Sequence, residues 1–334
     1  MNSHILPLTS RFIELAKFNP QHRPYVIRYP FNQHHEGGTT GHLEELASSI
    51  RHYGLLSPVI VQEGGGDDEV FIVHGARRFH ACQSLGWSAL PCQVVPSGMS
   101  AQEVYRLSLS VFLSHHKPNI IEQARIIQRL QAFFPQDMVI QDFLPRLGLL
   151  PQRKVLERVV QLAELEDEIA QDVAVGKADP QLGWRLVKVA PAARLALYRF
   201  LRRLPFTLSQ QFEILEYVQE IALRDHTPLE SLLTLQPVLD ILASDLDQRQ
   251  KANSIRFFWR ARRYPRLTAI EEEFSREKKL LRLPEQLELY PPHNFEHGSY
   301  KFELKFSDLA EFRQKLDFLN QLVTNGKFNN IIKS

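Results

Sequence analysis

Cysteine is nearly missing from this chain of 334 residues, which has only two, Cys82 and Cys92. Two thiols cannot build the disulfide framework of a small secreted fold, and no Cys-x-x-Cys pair offers zinc-ligand spacing. Net charge is nearly missing too, at +2 by count, so bulk charge does not announce nucleic acid. Long apolar runs are absent, and none approaches the roughly 20 residues that a membrane helix needs. The opening stretch MNSHILPLTSRFIELAKF has no extended apolar core and no small-residue cleavage site, so no secretory signal is read there. These absences predict a reduced, cytoplasmic protein without a membrane partner. Internal repeats and low-complexity tracts are also lacking. What remains is ordinary globular material, 44% hydrophobic and 23% charged, in a chain long enough for two or three cores.

Three regions follow from the pattern. Residues 1–98 read as mixed α/β. Leu43, Leu46, Ala47 and Ile50 mark an amphipathic helix that stops at Gly54, and a strand at 59–61 follows Pro58. The turn signal EGGGDD leads to a second strand at 70–73, and a short strand at 92–95 closes the unit. Residues 99–244 read as helical. Asn119 is placed as an N-cap with Glu122 three residues on, and the helix they start ends at Pro135. After Gly148 another helix opens with Pro151 at its first position. Its apolar face is Val155, Val159 and Leu162, and its other face shows Gln152, Arg153, Lys154 and Arg158. Residues 245–334 begin with a basic stretch. Between Arg249 and Arg282 there are eleven Lys and Arg against four acids, a local net of +7. Its segment SIRFFWRARRYPR suits either a phosphate-tracking surface or an amphipathic helix with a basic outer face. The segment SYKFELKF alternates like a half-buried strand. Ser307 then caps a helix with Leu309, Phe312, Leu316, Leu319 and Val323 inward.

The stretch VFIVHGARRFHACQSLGW, residues 70–87, carries the strongest local signal. An apolar run ends at His74-Gly75, and a short helical pattern headed by Arg77 and Arg78 follows. Arginine is the unfavourable choice at the positive end of a helix, so an anion bound there is one explanation. Glycine lets the backbone approach such a ligand, and guanidinium forks match phosphate geometry. Pairing with surface carboxylates is the plainer alternative. Cys82 falls on the apolar face and is read as a core thiol. His34-His35 and His115-His116 lack a carboxylate or cysteine at ligand spacing, so no metal site is assigned to them.

The order of these parts resembles the ParB family of chromosome and plasmid partition proteins. HLEELASSIRHYGLLSPVIVQ resembles that family's first box, and VHGARRFHACQSLGW its second, normally Gly-Glu-Arg-Arg before a helix. NIIEQARIIQRL is similar to the Asn-Pro-x-Glu-x-Ala helix that precedes the family's helix-turn-helix, and MVIQDFLPRLGLLPQRKVLERVVQLAEL lies where that element belongs. The resemblance implies an α+β ParB/sulfiredoxin-like N-terminal domain, an all-α helix-turn-helix middle domain and a small α/β C-terminal dimerisation module. It implies a homodimer on double-stranded DNA, associated with the nucleoid, that binds CTP with Mg²⁺ and closes as a clamp, acting in DNA partition or in transcriptional regulation. It leaves room for a partition ATPase as partner. Carried over, nucleotide contacts fall on Gly54, Leu55, Gly75, Ala76, Arg77, Arg78, His115 and His116, and DNA contacts on Gln152, Arg153, Lys154 and Arg158.

Two departures bear on chemistry. The family's Glu in the second box is Ala76 here. Its Glu-Asn pair for metal and hydrolysis falls on Val111 and Phe112, and neither side chain can hold Mg²⁺ or orient water. No catalytic residue is therefore assigned. Sulfiredoxin shares the fold family, but its nucleophilic Cys would fall on Ala76. An enzyme on this fold, a nuclease or a phosphoryl-transfer enzyme, stays open as an alternative. So does a dimer on the nucleoid that needs no nucleotide.

Overall fold

The computed structural model describes residues 8–18, 25, 27, 40–64, 69–295 and 299–324; His34 and His35 lie outside them. The chain divides into two compact units, residues 1–195 and 196–334. Their boundary falls inside a helix and coincides with neither composition break, 98/99 or 244/245.

The first unit opens with a four-stranded sheet. Strands β1 (Thr9–Glu14), β2 (Val59–Glu63), β3 (Val70–His74) and β4 (Ala89–Val94) lie in the order β1-β4-β2-β3. β2 runs parallel to β4 and antiparallel to β3, and β1 closes the other edge antiparallel to β4. Helices α1 (Thr40–Tyr53) and α2 (Ala76–Ser84) cover the sheet. Val59, Val61, Ile72, Leu90 and Cys92 from the strands pack with Ile50, Phe79 and Cys82 from the helices. Both cysteines are free and buried. Burial pushes the Cys82 thiol up and the Cys92 thiol up to about 12, so both stay protonated as small core hydrophobes.

Helices complete the unit. α3 (Ala101–His115) starts with a capping box between Ser100 and Glu103. α4 (Ile120–Phe133) starts with the one expected between Asn119 and Glu122. α5 (Gln136–Met138) runs on through a π-helical turn, Val139–Phe143, and a 3-10 turn, Pro145–Leu147, to Gly148. α6 (Arg153–Val160), α7 (Asp167–Ala174) and α8 (Pro180–Leu186) follow, and the unit boundary lies within α9 (Pro191–Arg202). Pro151 is not the first helical residue; α6 opens at Arg153 with Gln152 as its N-cap. Its buried side chains are Leu156 and Val159, with Val155 half-buried. Arg194 is buried and donates to the carbonyls of Glu164, Leu186, Val187 and Val189, and to the Glu166 carboxylate. A buried guanidinium needs that many acceptors to offset its lost hydration.

The second unit contains α10 (Leu208–Arg224), α11 (Leu229–Leu233), α12 (Gln236–Ala243), α13 (Gln248–Arg263) and α14 (Pro265–Leu281). The basic stretch is α13 and α14, and the structure favours the amphipathic-helix alternative for it. Trp259, Ile255 and Ala252 are buried. Arg256 pairs with Glu213, Arg262 with Asp225 and Arg263 with Glu220, all on or just after α10, and Arg260 pairs with Glu271 of α14. These four arginines are engaged within the fold rather than presented to a phosphate backbone.

Strands β5 (Leu287–Tyr290) and β6 (Lys301–Leu304) form an antiparallel pair beside α15 (Leu309–Thr324). Asp308 rather than Ser307 caps α15, its carboxylate accepting from the Glu311 amide at 2.8 Å. The inward face also differs from the expected one. Leu322 and Lys315 are buried and Phe318 and Leu319 pack beside the core, whereas Leu309, Leu316 and Val323 are exposed. A two-stranded layer is narrow, so it accepts only one i, i+3, i+4, i+7 stripe of the helix.

Candidate functional site

Where β3 ends, three elements surround a cavity of about 270 Å³. Its wall comprises Ile27, Leu46 of α1, and Val73, His74, Gly75, Ala76, Arg77 and Arg78 at the β3–α2 junction. Ser108, Phe112, His115 and His116 close it from α3 and the residue after it. That volume is near the small end of ordinary small-molecule sites.

The β3–α2 junction depends on Gly75. Its φ of +99° lies in the left-handed region, and a Cβ there would meet the Arg78 guanidinium at 2.9 Å. Gly75 is thus both the αL residue that starts α2 and the space into which Arg78 folds. Arg78 Nη1 donates to the Ser57 carbonyl at 2.7 Å and the Pro58 carbonyl at 2.9 Å. The arginine therefore ties α2 to the loop before β2 while one face still lines the cavity. Arg77 lines the cavity from the first turn of α2, whose amide groups add positive potential.

His74 is the group most altered by this setting. Burial, then the nearby Arg78 and His115, pull its pKa down to about 4. It is a neutral imidazole at pH 7. Ser108 is buried, and its hydroxyl sits 2.9 Å from the Tyr25 carbonyl and 2.8 Å from the Val73 carbonyl, pinning α3 to the end of β3. His116 Nε2 lies 3.0 Å from the Glu122 carboxylate, and Glu122, only 1% exposed, also accepts from the Asn119 amide at 2.9 Å. The wall of the cavity is thus joined to the N-cap of α4.

Six of the eight carried-over nucleotide positions meet here: Gly75, Ala76, Arg77, Arg78, His115 and His116. Gly54 and Leu55 are not part of the wall. Gly54 ends α1 with φ +77°, its amide donating to the Ile50 carbonyl, and Leu55 packs on the sheet core. His74 and Ser108 belong to the wall without having been picked out. His74 was signalled by its place beside Gly75; Ser108 had no sequence signal.

The donor set does not fit Mg²⁺. Among the described residues the lining contains no carboxylate, and Phe112 presents a hydrocarbon ring in its wall. Among the described residues no group of three or more His, Cys, Asp or Glu is placed to hold a metal ion.

The second candidate surface is on α6. Gly148 turns the chain with φ +76°. Gln123 of α4 donates to the Leu147 carbonyl at 3.0 Å, fixing that turn from below. With Leu156 and Val159 buried, Gln152, Arg153, Lys154 and Arg158 face outward and are exposed. Arg153 bonds Glu157 one turn on at 2.7 Å. The Arg158 guanidinium lies over the Trp184 ring at 3.8 Å, and Trp184 returns a hydrogen bond to the Arg158 carbonyl.

Comparison with known proteins shows what the N-terminal part resembles. The ParB N-terminal domain family matches residues 25–110. The "Probable chromosome-partitioning protein ParB" of Pseudomonas putida is 31% identical over 136 residues, 40% of this chain and 44% of that protein. The chain is thus similar to ParB proteins over its first part, and residues 25–110 carry a ParB N-terminal domain. The nucleoid occlusion protein of Bacillus thuringiensis is 34% identical to this chain over 88 residues, 26% of this chain and 29% of that protein. The matched segments span less than half the length of either relative. Among solved structures, C-terminally truncated ParB from Caulobacter crescentus complexed with CTP-γ-S is 23% identical, with a TM-score of 0.25 over 55% of this chain and 96% of that one. The Pnob8-like ParB-N domain is 14% identical, with a TM-score of 0.35 over 76% of this chain and 96% of that one. No described helix is long and apolar enough to cross a membrane.

Proposed function

We propose that this protein is a ParB family member and a dimeric DNA-binding protein, with α6 as its major-groove helix and the cavity at Gly75 as its nucleotide pocket. The observation that carries the reading is the outward face of α6. Four polar or cationic side chains, Gln152, Arg153, Lys154 and Arg158, project from a helix that follows a left-handed glycine turn. In a helix-turn-helix the early residues of the second helix reach base edges while others grip phosphates. Arg153, near the start of α6, is placed for base edges; Arg158, braced by Trp184, is placed for phosphate.

The printed functions of the relatives, chromosome partitioning and nucleoid occlusion, both fit a protein that works on the nucleoid, and a partition ATPase is a natural partner for the first. CTP is the leading ligand for the cavity, since a ParB of the same domain family was solved with CTP-γ-S. The test is duplex binding by wild type and by Arg153→Ala with Lys154→Ala, using a parS-containing duplex and a scrambled one across a salt series. The double variant should keep its fold by circular dichroism, lose preference for the specific duplex, and show a shallower salt dependence. Unchanged discrimination by the folded variant would reject α6 as the reading helix.

A further inference from the structure

The family's nucleotide chemistry brings Mg²⁺, and the wall of this cavity is the wrong kind of surface for it. Magnesium sites at phosphates use one or two protein carboxylates together with the phosphate oxygens. Among the described lining residues there is none. The second-box Glu is replaced by Ala76, which is buried, and the two positions that would carry a Glu-Asn pair are Val111 and Phe112. Glu122, which holds the lining residue His116, is 1% exposed and also accepts from the Asn119 amide.

Two arginines and three imidazoles, that of His74 neutral at pH 7, take the place of the missing acids. Arg77, Arg78, His74, His115 and His116 all line the cavity, as do Gly75 and Ala76 at the start of α2. A divalent cation entering here would meet the guanidinium groups of Arg77 and Arg78 and, among the described lining residues, no anionic ligand. A polyphosphate entering without its metal would meet guanidinium and imidazole donors that can do what the metal does elsewhere, neutralising and orienting phosphate oxygens.

We propose that the cavity binds a nucleoside triphosphate as the metal-free polyanion, with Arg77 and the histidine cluster replacing Mg²⁺. This rests on reading the cavity as a nucleotide site. It states a departure from the family's metal-dependent pocket, and it assigns binding only, with no bond made or broken.

The experiment is calorimetric titration of the full chain with CTP, ATP, GTP and UTP, and with inorganic triphosphate, first with excess EDTA and then with excess Mg²⁺. The expected result is binding of the preferred nucleotide in EDTA at an affinity equal to or higher than in Mg²⁺, reduced about tenfold or more by Arg77→Ala in both media. Folding of that variant is checked by thermal melting, and His115→Gln, on an exposed position, provides a second variant that should weaken binding without touching the core. Binding that appears only with Mg²⁺ overturns the proposal and leaves the nucleotide pocket standing. No binding of any nucleotide or of triphosphate in either medium overturns the pocket itself.

Discussion

The Arg78 guanidinium lies 2.7 Å from the Ser57 carbonyl and 2.9 Å from that of Pro58, so the two adjacent arginines at the head of α2 have different jobs. Arg78 holds the fold from inside, and Arg77 lines the cavity from the first turn of α2. A sequence pattern that treats the pair as a unit merges a structural tie with a cavity-lining side chain.

That division predicts unequal variants. Arg78→Ala removes two charge-assisted bonds to backbone carbonyls and strands both acceptors, which should cost about 2–3 kcal/mol of stability. Arg77→Ala should cost less than about 1 kcal/mol, in the range of ordinary partly exposed substitutions. Urea denaturation of both variants measures the difference. Equal losses would mean that Arg77 is also a structural tie.

Gly75 can be tested through the same contact. Gly75→Ala forces a side chain into φ +99° and drives Cβ against the Arg78 guanidinium. Gly86→Ala has a comparable φ of +76° but open space around its Cβ. The first should therefore be more destabilising by at least about 1 kcal/mol. In Gly75→Ala with Arg78→Ala, the excess should vanish, because the collision partner is gone. Additive losses in that cycle would place the strain in the backbone alone.

Much of the first unit was readable because its signals are local. The Asn119–Glu122 capping box, the stop at Gly54 and the strands around Val59 and Val70 each need only a few neighbouring residues. β1 was not readable: in TSRFIE only Ile13 is buried, and Phe12 stands 78% exposed on the sheet edge. The inward side of α6 was misjudged by one residue, Val155 for Leu156, because the helix opens after Pro151 rather than at it. The basic stretch was ambiguous for a different reason. Whether Arg256 and Arg263 are free depends on Glu213 and Glu220, about forty residues away and unrelated by any pattern. The role of Arg78 was hidden because its partners are backbone carbonyls, which leave no trace in residue identity.

His74 makes the cavity sensitive to acid. Its folded pKa of about 4 lies below the ordinary 6.5 because burial, then Arg78 and His115, disfavour the imidazolium. A depressed folded pKa means the native state resists a proton that the unfolded chain accepts. The contribution to stability is thus full above pH 6.5 and is lost as pH falls through about 4. NMR titration should show one imidazole moving near pH 4, assigned by its disappearance in His74→Gln. Occupancy of the cavity by an anion should move that midpoint upward, since a negative charge favours the imidazolium. A His74 that titrates near 6.5 in the ligand-free protein would contradict the buried, cation-flanked setting.

The last helix predicts how the chain self-associates. One face of α15 covers the β5–β6 pair through Lys315, Phe318, Leu319 and Leu322. On the rest of the helix Leu309, Leu316 and Val323 are 62%, 39% and 68% exposed. These three recur every seven residues, which aligns them along one side of a helix as the a positions of a coiled-coil seam are aligned. A monomer would leave that stripe in water, whereas a twofold pair of α15 helices would cover it with its own copy. Leu309→Glu with Val323→Glu puts like charges along the seam without entering the covered face. Sedimentation velocity should then show the wild type as a dimer and the double variant as a monomer with the same circular dichroism spectrum. A variant that stays dimeric would move the interface away from α15, and a chain ending near residue 244 that still sediments as a dimer would move it out of the C-terminal segment altogether.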